Sequence, residues 1–236
     1  MTRSSMAKQA GMGLIELLIA MVIGLVIVGA MMSVLVSTRA TSLAQNGLAQ
    51  LQDDQRLALI MLSNTIQGAG YFPNPLTSTQ TIELPANATF VNAGQSVAGS
   101  TGVAAPGDTL TVRYEAGTAD GMMDCNGRGN TSGANLVMVN TFSVDANSNL
   151  VCSVNGGAVQ ALAANVQNFQ VFYGVDTNAD SSVDRYIAAG AMTNANWANV
   201  ISVRVTLTFT NPLAGQPGQA ATLAPITQII ALMGRV

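Results

Sequence analysis

The sequence predicts an α+β protein in which one long N-terminal helix packs on an antiparallel β-sheet head. Residues 12–67 contain no proline and only four glycines, so almost nothing interrupts a helix there. Beyond Pro75 the apolar pattern changes from a helical period to strict alternation. Several strand candidates then follow one another without an intervening helix. A run of strands after a single helix is typical of the α+β class.

The predicted helix has two halves of different character. Residues 12–38 form an apolar segment, and the 23 residues 14–36 would rise about 34 Å, enough to cross a bilayer. Residues 39–70 are amphipathic and are predicted to lie on the head. Their apolar stripe consists of Leu48, Leu51, Leu59, Leu62 and Ile66. Gly68 to Gly70 and then Pro73 are expected to end the helix.

Residues 71–236 are predicted to form one β-rich head. The strand candidates are 109–115, 136–139, 150–154, 166–173, 200–210 and 226–232. The first of them alternates, with Arg113 and Glu115 on the face opposite Val112 and Tyr114. Residues 73–107 and 211–225 are expected to be irregular loops, since glycine, proline and short polar residues are frequent there.

Composition excludes several functions. The chain has 236 residues, of which 9% are charged, and it contains no histidine. Without histidine it lacks the usual general base and the commonest zinc ligand, so we expect no enzyme and no required cofactor. If Arg3 and Lys8 are removed with a leader, 7 basic side chains remain against 12 acidic ones. That balance argues against direct binding of nucleic acid.

Glu16 is the one ionisable residue between positions 14 and 38. A charged side chain in a membrane span costs roughly 2.5–3.5 kcal/mol at mid-helix on insertion scales, so it normally has a partner. An amine would provide one. If the chain is cut between Gly11 and Met12, Glu16 becomes the fifth residue, one helical turn from the new ammonium group.

The leader with Arg3 and Lys8, then Gly11, then the segment MGLIELLIA resembles the class III signal of type IV pilins and type II secretion pseudopilins. The resemblance implies that a prepilin peptidase cleaves after Gly11 and methylates the amine of Met12, and that Glu16 supports filament assembly. Residues 1–11 would then be the leader peptide. Met12 stands where the family usually has phenylalanine.

Two other interpretations of this region are open. An ordinary secretory signal would use the basic leader and a cleavage site at 28–30, but its apolar region rarely contains glutamate. A plain membrane anchor would make Glu16 incidental. In either membrane interpretation Arg3 and Lys8 face the cytoplasm. We therefore expect a single-pass inner-membrane protein with a cytoplasmic N-terminus and a periplasmic head, which later enters the pilus.

Cys125 and Cys152 are the only cysteines, and both follow the predicted span. On the extracytoplasmic side of a membrane disulfides persist, so we expect one bridge closing a loop of about 28 residues. Two buried free thiols are the alternative.

Several C-terminal segments carry a second resemblance. The Asp124 to Gly127 segment, Cys152, and residues 51–72, 166–186 and 197–207 resemble PilW-type minor pilins of type IVa pili. This resemblance implies a subunit that primes filament assembly at or near the pilus tip and serves adhesion, twitching or DNA uptake. Its partners would be other minor pilins, the major pilin and the inner-membrane assembly platform. A type II secretion pseudopilin is the alternative, and the match over 166–207 favours the pilin.

An acidic loop offers a metal-binding pattern. Asp176, Asn178, Asp180, Ser182 and Asp184 occupy positions 1, 3, 5, 7 and 9 of a loop, the spacing of EF-hand-like calcium sites. Against calcium, Ser181 replaces the usual glycine and Ile187 replaces the usual glutamate. The alternative is an Asx-rich hairpin loop whose side chains cap its own backbone.

Overall fold

The computed structural model describes residues 13–102, 107–216 and 218–235. The chain divides into two compact units, Met1–Leu48 and Ala49–Val236. Helix α1, Leu14–Gln67, contributes to both. The proposed leader, residues 1–11, lies outside the described residues.

Helix α1 has 54 residues and ends where the sequence predicts. Gly70 has φ +80°, the left-handed conformation that glycine adopts without strain just after a helix. In the first unit the large apolar side chains are exposed, from 47% for Leu35 to 80% for Leu14. Among the residues that the structure describes, α1 is the one helix long and apolar enough to cross a membrane.

In its described residues, the second unit contains two further α-helices, nine strands and two short 3₁₀-helices, Ala189–Ala191 and Met233–Arg235. The short helices are α2, Gln80–Glu83, and α3, Asn194–Ala198. The strands are β1 Val97–Ser100, β2 Thr109–Ala116, β3 Leu136–Val144, β4 Leu150–Val154, β5 Gln160–Ala163, β6 Val166–Val175, β7 Arg185–Ala188, β8 Val200–Phe209 and β9 Ile226–Ala231.

These strands form two antiparallel sheets and not the single sheet that we expected. The first has the order β1-β2-β3-β4-β5 and the second β7-β6-β8-β9. The long strands match the alternating segments, but β1, β5 and β7 were not predicted. Each has four residues, too few to establish a period of two. The expected loop 73–107 also contains α2 and β1.

The second unit has one main core between the helix and both sheets. Leu51, Ala58, Leu62 and Ile66 form the buried stripe of α1, while Leu59 is half-buried. Alternate residues of β6 and β8 supply the opposite side of this core. Burying one aliphatic side chain contributes about 1.5–3 kcal/mol, so the helical stripe fixes α1 firmly to its head.

Asp108 joins the two sheets. Its backbone N–H donates to the carbonyl of Phe169 at 2.8 Å, and its Oδ2 accepts from the N–H of Val171 at 2.7 Å. Its Oδ1 accepts from the N–H of Gly102 at 2.9 Å. One carboxylate therefore satisfies backbone groups from both sides of the joint.

The polar face of β2 is buried, contrary to the simple alternation. Arg113 is 2% exposed, and its guanidinium donates to the carbonyls of Gln95, Pro85 and Leu84 at 2.6, 2.7 and 3.1 Å. The same group lies 4.1 Å from the ring centre of Phe90. Burial lowers the pKa of Arg113 to about 10, so it stays charged at neutral pH. The loop that follows α2 covers this face because the arginine binds its carbonyls.

Candidate functional site

Glu16 lies in the first turn of α1. Its backbone N–H donates to the carbonyl of Gly13 at 2.9 Å, and the N–H of Leu17 donates to the same carbonyl at 3.3 Å. The Glu16 side chain is exposed. Gly11 and Met12, between which cleavage is predicted, lie outside the described residues, so the cut and the methylation stay predictions.

Among the described residues of the first unit, none covers the apolar half of α1. The hydroxyls of Thr38 and Thr41 are satisfied within the helix, donating to the carbonyls of Val34 and Ser37 at 2.8 and 3.0 Å. A side chain added at Gly24 or Gly29 would meet no atom within 4 Å. The protein's own packing therefore does not require these glycines, and they leave the helix surface free for close approach by another helix.

Cys125 and Cys152 form the expected disulfide, with their Cα atoms 6.4 Å apart. Cys125 lies in the connection between β2 and β3, and its N–H donates to Oδ1 of the buried Asn140 at 2.8 Å. Cys152 is in the middle of β4, where it pairs with Phe142 of β3. The bridge therefore ties a long loop to the centre of the first sheet.

The acidic loop between β6 and β7 is closed by its own side chains. Asp176 accepts from the N–H groups of Asn178, Ala179 and Ser181 at 3.1, 2.7 and 2.9 Å. Asp180 accepts from the hydroxyl and N–H of Ser182 at 2.6 and 2.8 Å. These bonds are those of the Asx-rich loop that we considered as the alternative to a metal site.

The two exposed carboxylates of this loop, Asp180 and Asp184, have lowered pKa values. The hydroxyl of Ser182 holds the pKa of Asp180 below its usual value, with further help from the Ser182 N–H and Asn178. The hydroxyl of Thr177, 2.6 Å from Asp184, lowers the pKa of that carboxyl in the same way. Both carboxylates are therefore charged over a wider pH range than usual.

Calcium binding by Asp176, Asn178, Asp180, Ser182 and Asp184 stays a prediction. Ser181 has φ +66°, the left-handed conformation for which a calcium loop uses glycine at this position. Within the described ranges, no group of three or more aspartate, glutamate, histidine or cysteine side chains could hold a metal ion. A calcium ion here would therefore depend on the amide of Asn178 and on Ser182 as well as on carboxylates.

Sequence reasoning missed one pair of acidic residues. Glu83 at the end of α2 and Glu115 in β2 are 32 positions apart in the sequence. Burial first, and then the charge of the neighbouring Glu83, raise the pKa of Glu115. No motif connects them, because the contact depends on how α2 folds back onto β2. From the sequence alone, only Glu115 could be recognised, as an acid on the polar face of an alternating strand.

Two family models match the chain. The prokaryotic N-terminal methylation motif matches residues 6–32, which contain the Gly11 and Met12 junction and Glu16. The model for type IV pilus-assembly protein W matches residues 137–224, which run from β3 through β8. A comparison with curated protein sequences gave no significant match. One match covers the start of the long apolar helix and the other covers part of the antiparallel sheets, and together they support a type IV pilin of the PilW type.

Proposed function

We propose that this protein is a minor pilin that primes assembly of a type IV pilus and lies at or near the pilus tip. The match to the pilus-assembly family implies that it interacts with pilus components, and the N-terminal signal implies that a prepilin peptidase processes it. The observation that carries the proposal is Glu16, a lone carboxylate in the first turn of an apolar helix whose side chains are exposed.

The exposed apolar half of α1 supports this assignment because it would be covered in two different environments, the membrane and the filament. Before assembly, lipid would cover the apolar surface of residues 14–36. After assembly, helices of neighbouring subunits would replace the lipid, and Glu16 would meet the N-terminal amine of the preceding subunit or its own. Such pairing offsets the cost of a carboxylate in an apolar environment, which is several kcal/mol.

Topology follows from the same features. Arg3 and Lys8 before the span support a cytoplasmic N-terminus. The disulfide between Cys125 and Cys152 favours an oxidising compartment for the head, which is the periplasm and then the cell surface. The partners would be other minor pilins, the major pilin and the inner-membrane assembly platform. The role is structural and not enzymatic.

The test is deletion of the gene, complemented by the wild type, Glu16→Ala or Ser33→Ala, in cells whose pilus retraction is disabled. We expect few surface pili after deletion or with Glu16→Ala, although the variant is inserted and cleaved. Ser33→Ala, a neutral change in the same helix, should restore normal numbers. The measurements are pilus counts by electron microscopy and co-purification of other pilins.

Normal piliation with Glu16→Ala would show that the acid is incidental. Unchanged pili after deletion, together with loss of protein secretion, would favour the type II secretion pseudopilin. The match of residues 137–224 to the pilus-assembly family supports the pilin.

A further inference from the structure

Glu115 has a buried carboxyl oxygen without a hydrogen-bond donor. Its side chain is 7% exposed, and Oε2 has no partner in the described part of the protein. The backbone position is fixed, because its N–H donates to the carbonyl of Tyr71 at 2.9 Å. An unsatisfied buried charged oxygen costs more free energy than an unsatisfied neutral group does, so another group must compensate it.

The groups around this oxygen are another carboxyl and an amide. Glu83 at the end of α2 and the side-chain amide of Asn135 both act on the pKa of Glu115, so both groups lie beside its carboxyl. Glu83 is half-buried and Asn135 is exposed, so the cluster opens to solvent on one side. Burial first, and the charge of Glu83 second, raise the pKa of Glu115.

Among the residues that the structure describes, no side-chain cation acts on the pKa of Glu115. Arg113 lies two positions earlier on the same face of β2, but its guanidinium is bound to loop carbonyls. The chain's single lysine is Lys8 in the leader. Burial first, and then the charge of Asp120, raise the pKa of Tyr71, whose carbonyl accepts from the Glu115 N–H, so Asp120 adds negative charge near this region.

We propose that Glu83 and Glu115 bind a divalent cation of the calcium type, with the amide oxygen of Asn135 as a third donor. Carboxylate and amide oxygens are the ligands that calcium prefers, and the open side leaves room for water ligands. An amide rotates by 180° at little cost, so Asn135 can present its oxygen once a cation is bound. The ion would join α2 and the residues just before β3 to β2.

A shared proton is the competing explanation, and pH separates it from a cation. A carboxyl with a raised folded-state pKa is stabilised below its unfolded pKa, and this stabilisation disappears as pH rises through the folded pKa. Once that proton is lost, the two carboxylates repel each other. A cation acts in the opposite range, because it binds the ionised pair.

The test uses full-length protein in detergent, in which Asp176→Ala and Asp180→Ala remove the predicted calcium loop. In this background we compare Glu115 with Glu115→Gln by thermal unfolding at pH 7 in EDTA and in increasing Ca²⁺. With Ca²⁺ at ten times its dissociation constant, Tm should rise by about 3–6 °C when Glu115 is present. Glu115→Gln should abolish the rise, and so should Glu83→Gln as a second variant.

The metal-free comparison keeps the result interpretable. In EDTA, Glu115→Gln should melt at or above the parent, because its amide can donate to Glu83 and the repulsion is gone. A Ca²⁺ shift that survives Glu115→Gln would overturn the proposal. So would a parent that does not respond to Ca²⁺ but gains stability through Glu115 as the pH falls, because that outcome identifies a shared proton.

Discussion

Removing the bridge between Cys125 and Cys152 should destabilise the head without changing its fold. The loop it closes has a sequence separation of 27 residues. In the chain-entropy model a loop of this length loses about 12 cal/mol/K in the unfolded state, or about 3.6 kcal/mol at 25 °C. A domain stability of 5–15 kcal/mol can absorb this loss, so the reduced protein should still fold.

Contacts that do not depend on the bridge should hold the loop in place. The hydroxyl of Tyr114 donates to the carbonyl of Met123 at 2.6 Å, and Asn140 accepts from the N–H of Cys125 at 2.8 Å. Asn130 donates to the carbonyl of Ala116 at 2.7 Å. Reduction should therefore lower the free energy of unfolding while leaving native spectra nearly unchanged.

The assay is urea unfolding of oxidised and reduced wild type, with the double variant Cys125→Ala and Cys152→Ala as a control for the thiols. Trp197 is the only tryptophan and packs edge-on against Tyr173, with ring centres 4.6 Å apart, so its fluorescence reports the core. A difference below about 1 kcal/mol between the oxidised and reduced forms would refute the entropic reasoning, because the loop would then be constrained without the bridge.

Three further predictions concern the loop contacts, the metal site and processing. Arg113→Met should lower the free energy of unfolding, measured by urea titration, by about 2–4 kcal/mol, because three backbone carbonyls lose a charged donor. The control is Arg185→Met, which removes an exposed arginine and should change the free energy of unfolding little. The calcium prediction for the acidic loop is tested in a protein whose Glu83 and Glu115 are already replaced by glutamine. If calcium binds the loop, Ca²⁺ should raise the Tm of this protein, and Asp176→Ala with Asp180→Ala should abolish that rise. If Ca²⁺ does not raise its Tm, the loop is only a turn. Gly11→Val should block cleavage and leave an immunoblot band at precursor size, and a mature-size band would contradict the pilin assignment.

The elements with strong periodicity were predictable, because their burial repeats along the chain. The end of α1 at Gln67 and the alternation of β8 follow from local chemistry alone. The disulfide was predicted because the chain has only two cysteines and both follow the predicted membrane span, on the side where disulfides persist. These features need no knowledge of which distant segments meet.

Other features depend on contacts between distant segments and were missed for that reason. Arg113 and Glu115 occupy the expected face of β2, but their burial is imposed by the loop after α2, whose carbonyls bind the arginine. The division into two sheets depends on the joint at Asp108, which bonds to residues 61 and 63 positions later. No local pattern encodes such a pairing.

The bridge between Cys125 and Cys152 also changes how the head would respond to force. Tension along the backbone passes from one cysteine directly to the other, so the 27 residue steps between them cannot extend. Those steps correspond to about 90 Å of contour length. Strand β3 lies entirely within the bypassed segment, so its backbone would carry no tension along the chain even when the protein is pulled from both ends. The head can therefore lengthen under tension only outside this segment, and the middle strand of its first sheet is mechanically shielded.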